Sequence, residues 1–416
     1  MNNTAAWKKF KPLIWLLATA FTLLQFTLQL SSAVIINVIM HDMHLTALAG
    51  GLLSGLFYVI YTALQMPAGI ICDHFNPRPI LCITAGICAL GCMIFASSEH
   101  LLGLYCGRAL MAVGSAFSFV SLTHLIREHY PTSLFTVLIG TTETLSFLAA
   151  IFGIVSLGTL VKYFGWQEFV QIIGFLAIVI AALCWRYIPA YSHLSQNGHV
   201  NGKRIVTVLT SAPLWLNGLF IGLTFLLVPV FGGLWAPPFL QIKLQCTLAQ
   251  ASYIDAVFIF GVGLSCPIFG FLSNRVHSRQ HLIISAYSIS IILLLMILYL
   301  PIHEIRTMTG LMFGFGLMSG AYILAFTFAN ELAPPNTLST TTGLTNTLAL
   351  LMTPILQPWI GHIIDILHVG RAVELRDYQH ALTILPICIF VAMLCIAKIK
   401  LRQKTIQRIS LPKQFY

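Results

Sequence analysis

Charge is what this chain has least of. Asp, Glu, Lys and Arg make up only 8% of its 416 residues. A soluble domain carries about a quarter charged residues, so this composition cannot cover a surface that faces water. Polar interruptions are few as well, with 58% of the residues hydrophobic and a mean hydropathy of +0.88. The solvent left is lipid, where a spanning helix takes about 20 apolar residues. Twelve such runs stand in the sequence, centred near residues 25, 58, 88, 114, 147, 178, 226, 261, 291, 319, 352 and 389. The alternation of a β-barrel is absent, and any other backbone at membrane depth would leave peptide groups unpaired. The sequence therefore predicts an all-α membrane protein with twelve transmembrane helices.

Further absences narrow the chemistry. There is no CxxC pair, and nine of the ten cysteines fall in or at the ends of the apolar runs, with Cys246 alone in an outer loop. Buried cysteine behaves as a small hydrophobe, so a disulfide framework is not expected. No Gly-rich phosphate loop of Walker type appears, which excludes ATP as the energy source. No His, Cys and Asp set has metal-ligand spacing, so neither a metal nor a cofactor is expected. No Ser-His-Asp set suggests an intramembrane enzyme. A cleavable signal is excluded too: Lys8, Lys9 and Lys11 precede an apolar stretch from Pro12 to about Ala33, longer than a signal core and without a small-residue cleavage site.

The formal charge of +10 describes topology, not a nucleic-acid partner. With both termini in the cytoplasm, sixteen Lys and Arg residues fall on the inner side and five on the outer (Lys162, Lys243, Arg306, Arg371 and Arg376), with Arg108 inside the bilayer. The positive-inside rule selects that orientation, in a bacterial-type inner membrane. The polar interval PAYSHLSQNGHVNGK, residues 189 to 203, reads as a cytoplasmic linker. It separates an N-terminal bundle (1–188) from a C-terminal bundle (212–400), with the linker taken as 189–211 and a basic tail at 401–416. A monomer is expected.

The two halves repeat each other. GIICDHFNPRPIL at residue 69 returns 201 positions later as GFLSNRVHSRQHL: Gly69 as Gly270, Asp73 as Asn274, Arg78 as Arg279. An offset of 203 links the stretch from Glu128 to the stretch from Glu331, matching Pro131 with Pro334 and Gly140 with Gly343. Matches of Glu, Pro and Gly at constant spacing indicate duplication of a six-helix unit.

Twelve helices, duplicated halves and Gly69-x-x-x-Asp73 followed by Arg78 resemble the major facilitator superfamily and its signature loop between helices 2 and 3. Here His74 replaces the first base of that signature, Asn76 its second glycine and Pro79 its last base. Asn tolerates a left-handed backbone, so Asn76 is expected to stand in for the glycine. GRALMAVGSA around Arg108 and FGWQEF at 164–169 are similar to other family segments. GGLWAPPFL and QPWIGHIID resemble a bacterial branch that includes importers of organic anions. The resemblance implies two pseudo-symmetric six-helix bundles around a central cavity, and secondary transport by alternating access. Independently of the resemblance, Asp73 at the end of an apolar run and the recurrence of the pattern suggest that Asp73 and Arg78 form a gate with Arg127 and Glu128 at the inner end of helix 4, echoed by Asn274, Arg279 and Glu331. The alternative for Arg78 is a plain positive-inside loop.

Charged residues at membrane depth default to functional hypotheses. Arg108, Glu143 and Asp255 stand out. Glu143, in the fifth run, is either a proton carrier or substrate contact, or a protonated acid bonded to a carbonyl. Its repeat mate is Asn346, so charge belongs to one half. Arg108 either anchors an anionic group or is satisfied by carbonyls of the first helix. Asp255, about two turns in from the outer end of the eighth run, is either a proton or substrate contact or shallow enough to be simply hydrated. Thr22, Gln25, Gln29 and Ser32 share one face of the first run, and Ser54, Tyr58, Tyr61 and Gln65 one face of the second. With Asn217, Trp235, Tyr322, Asn346 and Gln357 they suggest a wet cavity, against the alternative of packing between helices. Gly310, Gly314, Gly316 and Gly320 suggest close helix contacts.

The expected function is proton-coupled uptake of a small polar solute, such as an amino acid, an organic acid or a carboxylate siderophore. A proton-antiporting exporter is the alternative. The family's antiporters usually carry a Gly-Pro motif on helix 5, and IGTTETLSFLAAIFGIVSLG has no Pro. An intramembrane enzyme or a passive receptor is the reading from another class.

Overall fold

The computed structural model describes residues 4–30, 35, 38–39, 42–43, 47–189, 202–276, 278–367 and 373–399. Most of the linker (190–201), Ser32, Arg371 and the basic tail lie outside the described residues, as do the side chains of Lys8, Lys9, Ser54 and Lys162.

Among the described residues, twelve helical stretches are long and apolar enough to cross a membrane. Spans 1 to 6 are Lys11–Gln29, Gly55–His74, Pro77–Ala96, Leu101–His129, Thr132–Ala149 and Trp166–Tyr187. Spans 7 to 12 are Ala212–Leu244, Leu248–Leu272, Arg279–Tyr299, Ile305–Leu332, Leu338–Ile364 and Leu375–Lys398. Each predicted centre falls inside one of them. Their outer faces are greasy: Leu102, Val59 and Phe175 are 74%, 68% and 62% exposed, which lipid tolerates and water does not. All ten cysteines are free thiols.

Local rules explain the ends. Asn76 has φ −63° and ψ 129° and accepts a hydrogen bond from the Arg78 backbone at the start of span 3. The left-handed geometry expected for it is not adopted. Pro77 disfavours helical geometry in the residue before it and suits the first helical turn, so Asn76 is an N-cap. Span 8 opens with a capping box of Thr247 and Gln250. The linker end contains an unforeseen short helix, Gly202–Leu209, whose Val208 packs among Leu214, Leu344 and Leu348.

Two spans change helix type inside the bundle. Span 7 is π-helical from Leu227 to Trp235, where Pro229 and two adjacent glycines loosen the regular ladder. Span 10 tightens to a 3-10 turn over Gly320–Ile323. The predicted glycine contacts hold for Gly316 and Gly320, which press on spans 8 residues Phe258 and Ser265; Gly310 has open space around it.

The pseudo-twofold relation is visible contact by contact. A Cβ on Gly69 of span 2 would strike the backbone of Ser339 on span 11, and one on Gly270 of span 8 would stand 2.9 Å from the Thr136 oxygen on span 5. Gly343 meets the Gln65 backbone, and Gly140 that of Cys266. Offsets of 201 and 203 convert each contact into its mate. Glycine is required at these crossings because backbones approach closely there. The two six-helix bundles thus meet along two equivalent seams, spans 2 with 11 and 5 with 8.

Candidate functional site

The seams bring together three layers of polar residues. The first lies at the end of span 2 that carries Asp73. The Asp73 carboxylate is buried and accepts from the Ser339 and Thr340 backbone N–H groups, both at 2.7 Å, and from the Thr340 hydroxyl at 2.6 Å. Ser339 and Thr340 lie in the first turn of the helix Leu338–Leu351. The N-cap of that helix, Thr337, makes no side-chain cap bond, so Asp73 supplies an acceptor from the other half. Orphan N–H groups and the positive end of the helix dipole both favour it. The expected partner on helix 4 is thereby corrected: Asp73 reaches across to span 11.

Around this contact, His124 of span 4 shares a 2.8 Å hydrogen bond with the Ser339 hydroxyl, and its Nε2 lies 3.9 Å from Glu128. Arg78 stacks its guanidinium over Trp185 of span 6 at 4.5 Å. Arg127 is half-buried in the last turn of the same helix segment as Glu128.

The mate of this layer has the same positions and different chemistry. Thr136 and Thr327 share a 2.5 Å hydrogen bond where Ser339 and His124 stand in the other seam. Asn274, in the place of Asp73, donates to the Ser133 carbonyl at 2.6 Å. Arg279 pairs with Glu331. An amide has no charge to offer a helix N-terminus, so only one seam carries the charged cap.

The second layer is deeper. Glu143 of span 5 is buried and accepts from the Tyr322 hydroxyl of span 10 at 3.1 Å. Tyr322 lies on the 3-10 turn, and its hydroxyl is 3.8 Å from Cys266 of span 8. The flanking threonines hold the acid in place. Thr142 bonds Trp15 and Thr19 of span 1 at 3.1 and 3.0 Å, and Thr144 bonds the Gly263 carbonyl of span 8 at 2.5 Å. In the mate seam Asn346 donates to Gln65 at 2.9 Å. The carboxyl and thiol of one seam therefore correspond to an amide pair in the other.

The third layer lies toward the opposite end. Arg108 donates to the Leu28 carbonyl at 2.9 Å and sits 4.5 Å from the Phe57 ring centroid, the carbonyl arrangement weighed from the sequence. Tyr58 is within reach of both Gln29 and the Arg108 charge, and Gln25 donates to Gln29 at 2.6 Å. In the second half Asn217 donates to the Ala325 carbonyl at 3.0 Å and Gln357 to the Pro229 carbonyl at 2.9 Å. Both tie helices together; Asn217 is fully buried, whereas Gln357 is only partly so. Trp235 packs edge-on to Tyr378 at 6.4 Å. Asp255 is buried beside the π-helical segment of span 7.

His124, Ser339, Thr340, Thr136 and Thr327 were not singled out from sequence. The 203-residue offset pairs His124 with Thr327 and Thr136 with Ser339, and that was the available signal.

Two pseudo-symmetric six-helix bundles with polar groups buried on the seams between them define the class of fold. The Major Facilitator Superfamily model matches residues 15–356, and the chain belongs to that family. It is 31% identical over 141 residues to the uncharacterized transporter BU466 of Buchnera aphidicola subsp. Acyrthosiphon pisum (strain APS), covering 33% of this chain and 35% of that one. It is 28% identical over 149 residues to an uncharacterized transporter of Buchnera aphidicola subsp. Schizaphis graminum (strain Sg), covering 35% and 36%. The matches thus span about a third of the length of these curated relatives. In fold the chain is similar to a bacterial homologue of the iron transporter ferroportin in an outward-facing state, with TM-score 0.71 and 12% identity over 92% of this chain and 98% of that one. It is also similar to FucP in the outward conformation, with TM-score 0.67 and 14% identity over 92% and 99%.

Proposed function

We propose that the protein is a proton-coupled importer of a small polar solute in the inner membrane, working as a monomer with both termini cytoplasmic. The observation that carries this reading is the Glu143–Tyr322 hydrogen bond. It places a buried acid on the seam between the halves, held by one neutral donor. Burial disfavours a charged carboxylate, and a carboxyl that changes protonation while sitting on a moving interface can link proton movement to the motion.

In this reading the bundles 1–188 and 212–400 rock about the seams, joined by the linker 189–211 and followed by the tail 401–416. The Asp73 layer is the cytoplasmic gate, closed here by a charge on a helix N-terminus. Arg78, Arg127 and Glu128 belong to this gate, and Asn274, Arg279 and Glu331 to its mate in the other seam. The solute meets Gln25, Gln29 and Tyr58 on one side and Asn346 and Tyr322 on the other, with Glu143 between. The Arg108 charge acts through Tyr58 and favours a carboxylate or zwitterion, hence an amino acid, an organic acid or a carboxylate siderophore. Asn217 and Gln357 support the second half structurally.

The test is flux in proteoliposomes with a pH gradient imposed, using solutes first selected by thermal shift of the purified protein. Accumulation driven by an inward proton gradient and abolished by a protonophore is the expected result. Uptake indifferent to the protonophore overturns proton coupling, and expulsion driven by the same gradient overturns import.

A further inference from the structure

Asp255 has no task in that reading, yet its surroundings are specific. Only 7% of the residue is exposed, and its Oδ1 is sealed without a hydrogen-bond partner. It lies seven residues into the helix Leu248–Leu272, against the π-helical stretch Leu227–Trp235 of span 7. The contact is made at Gly232, where a Cβ would stand 3.2 Å from Oδ1 and 2.8 Å from the Phe258 ring. Glycine is what admits the carboxyl to the backbone of span 7. At the far end of the same stretch the indole N–H of Trp235 is buried without a partner. Gln357 occupies the Pro229 carbonyl at its start. The repeat mate of Asp255 is Ser54, so the acid belongs to the second half alone.

A carboxylate with an oxygen sealed from water and no donor is a costly species. A neutral acid is not, and its O–H can donate to a backbone carbonyl. Among the described side chains, the titratable groups on the elements around span 8 do not supply a counter-charge. Lys243 of span 7 donates to the Ile297 and Leu298 carbonyls. Glu143 of span 5 and Tyr322 of span 10 bond each other. Glu304 and Arg306 are exposed at the outer end of span 10, as is Tyr253 on span 8 itself, and Tyr378 of span 12 packs edge-on to Trp235. Among the described residues Asp255 has no ion pair.

We propose that Asp255 is a second proton-binding site, and that its protonated form holds the outer part of span 7 against span 8. Ionisation transfers the proton to the aqueous phase, draws the carboxylate toward water and frees the π-helical stretch to move. The site thus lets external pH set the outer closure of the second half, separately from coupling at Glu143.

Two measurements on the purified full-length protein test it. In pH-difference infrared spectra, the native protein is expected to show a buried carboxylic-acid C=O band that disappears in Asp255→Asn and persists in Glu143→Gln. In Leu234→Cys, a reporter within the π-helical stretch, maleimide labelling is expected to accelerate with pH after normalisation to the intrinsic thiol dependence. That acceleration should be lost when Asp255→Asn is added and kept when Glu143→Gln is added. If Asp255→Asn folds poorly, Gly232→Ala preserves the acid but crowds it, and should shift the pH midpoint of labelling. A band and pH dependence unaffected by Asp255→Asn, or an unshifted midpoint in Gly232→Ala, overturns the proposal. Because the Glu143→Gln arms are read independently, failure at Glu143 leaves this result standing, and the reverse.

Discussion

Asp73 and Ser339 lie 266 residues apart and meet as a carboxylate and a helix N-terminal N–H at 2.7 Å. The contact joins spans from opposite halves, and in the proposed gating its strength contributes to how long that end stays shut. A charge at a helix N-terminus is worth up to about 2 kcal/mol in partly buried geometry. Asp73→Asn is expected to remove most of that and to slow turnover several-fold, with solute affinity nearly intact. Native Cys72, fully buried beside it, is the reporter: its labelling by a membrane-permeant maleimide, read by peptide mass spectrometry, should speed up. Unchanged labelling and unchanged turnover would return Asp73 to a topology signal.

Gly69 gives the steric version of the same test. Its Cβ position overlaps the Ser339 backbone, which cannot yield as a flexible side chain would. Gly69→Val should therefore expose Cys72 more than Asp73→Asn does, and abolish turnover while the protein still folds with the seam open. A transport-competent Gly69→Val would show that the seam need not close.

The twelve spans were legible because long apolar runs in a chain with so little charge have one stable form. The repeat was legible because Gly69, Gly140, Gly270 and Gly343 sit where backbones cross, and nothing larger fits. The site was only partly legible. Glu143 stands out as a charge among apolar residues, but Tyr322 became its partner only once a 3-10 turn aimed the hydroxyl across the seam. Asn217 and Gln357 looked like cavity walls, and each also satisfies a carbonyl near a helix irregularity that the periodicity does not reveal. The π-helical stretch had a cue in Pro229, Gly232 and Gly233, a cluster equally compatible with a kink.

Asn217 supplies a stability prediction. Its amide reaches the Ala325 carbonyl from a fully buried position, and a hydrogen bond of this kind contributes about 1 kcal/mol, more when a buried group is left unpaired. Asn217→Ala is expected to lower the Tm of the purified protein by a few degrees without changing which solutes stabilise it. Selective loss of solute stabilisation at an unchanged Tm would place Asn217 in the binding site.

Arg108 separates charge recognition from scaffolding. If its field at Tyr58 favours a carboxylate, Arg108→Gln should weaken thermal stabilisation by a carboxylate solute about tenfold in half-saturating concentration, equivalent to roughly 1.4 kcal/mol. The corresponding uncharged amide should be little affected. Equal weakening for both would leave Arg108 as the brace of the Leu28 carbonyl and nothing more.

Glu143 is the central claim, and one comparison addresses it directly. In proteoliposomes, Glu143→Gln should lose accumulation of solute against its gradient while retaining exchange of internal for external solute. Exchange needs the loaded protein to reorient without net proton movement, and a neutral Gln mimics the protonated acid beside Tyr322. Uphill uptake needs a proton released inside, which Gln cannot supply. Accumulation driven by an imposed pH gradient in Glu143→Gln would contradict the claim, as would parallel loss of exchange and uptake in a variant whose Tm matches that of the native protein.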